Sequence, residues 1–212
     1  MNPDPITDVL EFLRQPAWTT GIFWLFGIAS LVIAVYAFVT IPSQRRATYI
    51  CDFVFRFLIG TMWWQQTLWK LPPYYTLTPD EPTTTGLYYW MTLEGKSAAI
   101  PLQADFVNNI VLPHFHLFAP IVYGLEVMTA VSLLLGIFVR LWGVIGALQI
   151  LNLWLGLYSA PGEWPWTYFF LLVLMLIFAL HRYGRRLGLD AIIAARSRSR
   201  SLLGRVFLAA TA

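Results

Sequence analysis

Four ionisable residues, Asp52, Arg56, Lys70 and Glu126, stand within long apolar runs of the sequence. A charge in such a run is costly and is a functional candidate by default. Arg56 follows Arg45 by 11 residues, and Glu126 precedes Arg140 by 14. At about 1.5 Å of helix rise per residue, these offsets put Arg56 about 16 Å and Glu126 about 21 Å from the same membrane edge. The matched depths predict an Arg56–Glu126 pair between two helices. Its functional reading makes both residues catalytic, with Glu126 carrying a proton. Its structural reading is a buried ion pair that fixes helix register. Asp52 and Arg56 are four apart and share one helix face, so Asp52 is a second candidate partner for Arg56.

Uncharged polar residues gather towards the other end of the same runs. Gln65 and Gln66 precede Lys70, His114 and His116 open the next run, and Gln149 and Asn152 follow further on. With Trp63, Trp64, Trp69 and Trp154 as walls, these residues predict a polar pocket. A quinone headgroup suits it, because two carbonyls need donors and a flat ring prefers aromatic neighbours. Gln65, Gln66, Lys70, Trp69, His114 and His116 are the expected quinone contacts. The same residue types also serve interhelical hydrogen bonding. Bis-histidine haem is not expected: His114 and His116 are about 200° apart around a helix, and His181 falls at the opposite membrane side. No metal constellation, phosphate loop, dinucleotide fingerprint or nucleophile elbow is present.

The elements that must hold these residues are membrane helices. Of 212 residues, 58% are hydrophobic and 12% charged. Soluble domains carry about 25% charge, so a disordered chain and a soluble nucleic-acid binder are excluded. The single cysteine, Cys51, excludes an internal disulfide. Five runs have the length or apolarity of spans: Trp18–Ile41, Tyr49–Leu71, His116–Val139, Leu141–Tyr158 and Trp164–Leu180. Helix is the expected form, since an open strand leaves its backbone unsatisfied in lipid. The acidic flank of the first run (Asp4, Asp8, Glu11) and its length argue against a signal peptide.

Arg45, Arg46, Arg140 and the basic tail from Arg182 to Arg205 fall on one side of a five-span chain. The other side holds Asp80, Glu81, Glu94, Asp105 and Glu163. Basic loops stay cytoplasmic, which predicts an outer N-terminus and an inner C-terminus; the inner membrane of a bacterial or archaeal cell is the expected location. The outer loop 72–113 is rich in Tyr and Trp, and its Leu87–Leu93 stretch is expected to be a short interfacial helix. The Arg/Ser tail from Arg196 to Ser201 and an amphipathic Leu202–Leu208 are expected to meet anionic lipid.

The order of motifs resembles DoxX/DoxD-like membrane proteins over about residues 50–190. Arg56-Phe57-Leu58-Ile59-Gly60 leading to Trp69-Lys70-Leu71 is similar to that family's first helix. Glu126 followed by Leu133-Leu134-Leu135-Gly136 and Arg140-Leu141 resembles a later one. Gly184-Arg185-Arg186-Leu187-Gly188-Leu189-Asp190 resembles the family's closing segment, with Arg186 where a second glycine often stands. Arg56, Lys70, Glu126, Arg140 and Asp190 map onto family positions. The resemblance implies a four-helix membrane bundle over 49–190 within an all-α fold. The chain departs from the family by an additional first span and its loop, 18–48, and by a longer aromatic outer loop; 1–17 is an outer segment and 191–212 a tail. It also implies a subunit of a quinone-linked complex, such as the small subunit of thiosulfate:quinone oxidoreductase, with other membrane subunits as partners and quinone as cofactor.

Two functions compete on this reading. One is a redox-linked subunit with a quinone site near the outer face. The other is a non-catalytic structural or assembly subunit of a larger membrane complex, docked through the first span and the aromatic loop, with Gly143 and Ala147 permitting a close helix contact. A transporter is disfavoured, because neither a broken-helix pair nor an inverted repeat is visible. Whether the chain is itself an enzyme stays open.

Overall fold

The computed structural model describes residues 4–73, 75 and 86–196. Among these the chain is helical, with no strand. The α-helices are α1 (Pro5–Arg14), α2 (Trp18–Thr40), α3 (Ala47–Leu68), α4 (Leu87–Ser97), α5 (Pro101–Phe106), α6 (Phe115–Leu135), α7 (Val139–Gly156), α8 (Pro165–Leu180) and α9 (Leu189–Arg196). Three of them, α2, α6 and α7, are long and apolar enough to cross a membrane. Helix α8 is apolar but only 16 residues long. Helix α3 has 22 residues and carries Asp52 and Arg56. The expected tail helix at Leu202–Leu208 lies outside the described residues, as do Asp80 and Glu81.

Each expected run holds a helix, and punctuation in the sequence sets the ends. Pro165 sits at the first turn of α8, where its missing N–H costs nothing. Gly136 ends α6 in the left-handed region at φ +69°, where glycine carries no Cβ penalty. A Cβ there would also come within 2.8 Å of the Arg56 guanidinium carbon.

Small residues bring the helices together. A Cβ on Gly143 of α7 would lie 2.5 Å from Ala179 N and 2.8 Å from Phe178 C. Both are backbone atoms of α8, so neither can swing away. Ala147, one turn on, is buried in the same interface. The small-residue pair therefore serves packing within the chain. Gly143→Val is expected to lower stability by about 1–3 kcal/mol or more through overpacking. A thermal melt in detergent checks it, and an unchanged midpoint would contradict this packing.

The helix ends are staggered. Arg56 lies nine residues into α3, yet it sits beside Leu133 and Leu134, at the last turn of α6. The first turns of α3 thus project past the α6–α7 turn. The segment Tyr183–Arg196 fills the space they leave. Arg186 meets Asp52 at 2.7 Å. Gln44 donates to Arg185 O and accepts from Leu187 N.

The loop after α3 folds onto the opposite end of the bundle. Helix α4 covers the expected interfacial stretch and runs four residues further, to Ser97. Its Leu87, Met91, Glu94 and Gly95 are buried. They follow helical spacing and form one inward face. Gly95 sits close to Asn108, whose amide donates to Gly95 O at 3.0 Å.

Candidate functional site

Two buried polar sites lie at opposite ends of the bundle. The site beneath α4 is built on Lys70, just past the end of α3. Its Nζ stands 4.2 Å from the Trp69 ring centre and donates to Glu126 Oε1 at 2.6 Å. The lysine is 4% exposed and Glu126 is 7% exposed. Glu126 is therefore paired with Lys70, and the expected Arg56–Glu126 pair does not form. The depth argument took Arg45 and Arg140 as marks of one common edge, and the stagger of α3 against α6 removes that assumption.

Among the described residues Glu126 uses one oxygen only: Oε2 is buried without a hydrogen-bond partner. One turn along α6, Thr129 Oγ1 accepts from Gln149 Nε2 at 3.3 Å, and Gln149 Oε1 is likewise buried without a partner. Orphaned acceptors in a buried site leave room for a donor from elsewhere.

Glu94, which sequence reasoning placed merely among the acidic loop residues, is the second carboxylate here. It descends from α4 to 6% exposure. Its Oε2 accepts from Asn152 Nδ2 at 3.0 Å, and Gln103 Nε2 donates to both Asn152 O and Oδ1. A Cβ on Gly156 would lie 2.8 Å from Glu94 Cγ, so only glycine leaves a notch for this side chain. Burial pushes the Glu94 carboxyl up to about 7, against the lowering effect of the Asn152 hydrogen bond and the Lys70 charge. A signal for it exists in the sequence. Leu87, Met91 and Glu94 share one stripe at helical spacing, so the carboxylate falls on the apolar face.

The remaining expected contacts disperse. Gln65 and Gln66 are exposed, and with Leu68 and Trp69 they line a shallow open depression beside the Lys70 site. His114 and His116 are exposed, and His114 Nδ1 lies 2.9 Å from Ile110 O. Neither histidine joins the Lys70–Glu126 pair through a described hydrogen bond. Among the described residues no group of three or more His, Cys, Asp and Glu converges as metal ligands would.

The second site surrounds Arg56, which is wholly buried. Its guanidinium donates to the carbonyls of Leu133, Leu134 and Leu187. The first two belong to the last turn of α6, where carbonyls lack helical partners. Asp190 completes the arrangement. Its Oδ1 accepts from Phe138 N at 2.9 Å and its Oδ2 from Val139 N at 3.4 Å, while its own N–H donates to Gly136 O at 2.9 Å. Asp190 thus caps the start of α7 from 52 residues away. Burial raises its carboxyl from the ordinary range, opposed by those two N–H groups and by Arg56. Arg56 and Asp190 together close the α6–α7 turn, which is structural work. Asp52 pairs with Arg186, so neither expected partner of Arg56 is its partner. Arg140 Nε donates to Ala179 O at 2.9 Å, tying α7 to α8.

Comparison with known protein families, curated proteins and solved structures finds no match to this chain.

Proposed function

We propose that the chain is an integral membrane subunit of a quinone-linked redox complex, of the thiosulfate:quinone oxidoreductase kind, with its quinone site near the outer face. On this reading α2, α3, α6, α7 and α8 are five spans of an inner membrane, with the N-terminus outside and the Arg56–Asp190 end cytoplasmic. The DoxX/DoxD resemblance supports it through Arg56, Lys70, Glu126, Arg140 and Asp190.

The observation that carries the proposal is the buried Lys70–Glu126 pair with its orphaned Glu126 oxygen. Quinone reduction adds two electrons and two protons across two carbonyls. A lysine ammonium polarises a carbonyl oxygen, and a nearby carboxyl supplies or takes a proton. The depression of Gln65, Gln66 and Trp69 adjoins Lys70 and offers amide donors beside an aromatic face. A partner subunit would bring the electrons.

Gentle purification from native membranes, with mass spectrometry of co-eluting proteins, lipids and quinones, tests this. A stoichiometric redox partner with bound quinone is the expected result, and Lys70→Met should release the quinone. A stable assembly that holds no quinone would leave the chain a structural subunit, with its polar interior serving helix packing.

A further inference from the structure

Among the described residues, the site beneath α4 holds one cation and two carboxylates, and the pair Lys70–Glu126 already satisfies the cation. Glu94 is the surplus charge. Nothing in its packing demands an acid: the stripe it extends is Leu87 and Met91, and a glutamine could take the same Asn152 hydrogen bond through its carbonyl. Yet the chain gives up a side chain at Gly156 to admit it. The groups that face Glu94 from the neighbouring elements are few. Lys70 approaches from the end of α3, Glu126 from α6 and Tyr168 from α8, each within electrostatic reach. Helix α7 offers Asn152, which is exposed on its far side, and α5 offers Gln103. The carboxyl is therefore one hydrogen bond from the protein surface and within electrostatic reach of Glu126, whose Oε2 has no partner among the described residues.

We propose that Glu94 is the proton-exchange residue of this site, taking protons from the aqueous phase on the α4 side and passing them to Glu126. In the first step a solvent proton bonds to a Glu94 carboxylate oxygen, and the cluster goes from a net charge of −1 to 0. In the second, the Glu94 O–H bond breaks and a new one forms at Glu126 Oε2. The cluster stays neutral, because Glu94 regains the charge that Glu126 loses, so the step adds no net charge to a region of low dielectric. No electron moves in either step. Only the identity of the final acceptor, a quinone oxygen, rests on the function proposed above. Burial that holds Glu94 near pH 7 poises it to load and unload at physiological pH.

The test is infrared difference spectroscopy of the purified full chain, without added quinone, titrated across the neutral range. A carboxyl C=O band should grow as the pH falls through about 7, disappear in Glu94→Gln and persist in Glu126→Gln. Asn152→Leu removes the bond that favours the ionised form, so it should move the midpoint to higher pH. The proposal is overturned by a band that survives Glu94→Gln, by the absence of any titrating carboxyl, or by a midpoint that Asn152→Leu leaves in place. Quinone content, measured separately on the same preparation, keeps the two ideas apart. Bound quinone without the band sinks only the proton role, and the band without quinone sinks only the quinone site.

Discussion

Lys70→Met costs about 3–5 kcal/mol of stability in detergent, and adding Glu126→Gln returns most of that loss. The reason lies in the asymmetry of buried pairs. Removing the lysine leaves a carboxylate at 7% exposure with neither oxygen partnered. Removing both charges leaves a Met and an amide, which need far less solvation. The protein's ten tryptophans make intrinsic emission a direct readout of melting. The four melts of the cycle give the coupling energy. Additive losses in the double variant would show that the two side chains do not depend on each other, and the 2.6 Å contact would lose its energetic meaning.

The second large effect belongs to the other end. Arg56→Met removes three hydrogen bonds to buried carbonyls and strips Asp190 of its nearest buried cation. A loss of about 3–5 kcal/mol is expected, since removing the donor leaves the Leu133 and Leu187 carbonyls unsatisfied, while Leu134 O keeps its bond from Ser30 Oγ. Arg56→Lys should recover little of it. A single ammonium cannot spread over carbonyls from two separate segments as a planar guanidinium does. Melting of the two variants checks this, and a lysine variant as stable as the parent would refute the role given to the guanidinium. Function should respond differently at the two ends. Quinone retention per folded molecule should fall for Lys70→Met and hold for Arg56→Met.

Much of the helical architecture was legible in the sequence, and the pairing of its charges was not. Runs such as Trp18–Ile41 announce a helix by apolarity and length, and the structure differs there by a single residue, with α2 ending at Thr40. Arg56 shows the limit. Depth counted along one helix says nothing about how far a neighbour slides past it, and that offset depends on Gly60, whose Cβ would come 3.0 Å from Leu134 N, and on the segment packed under the α6–α7 turn. Glu94 shows a different limit. Its position on the apolar stripe of Leu87 and Met91 was readable, but the acidic company of its loop suggested a solvated role. The notch at Gly156, far along the chain, gives the carboxylate its place inside.

The cap that Asp190 places on α7 also orders how the protein is made. Helices α6 and α7 are synthesised well before Asp190, which follows Phe138 by 52 residues. Until it arrives, Phe138, held at φ +50°, has no carboxylate to fix a backbone conformation unfavourable to a bulky residue. The α6–α7 hairpin therefore forms with a loose turn and is fastened only when the later chain folds back against it. A ribosome-bound nascent chain stopped short of Asp190 would hold its helices without that clasp, open to a membrane chaperone or a protease at the Gly136–Phe138 turn. The arrival of Asp190, rather than the formation of α8, is then the event that locks the bundle.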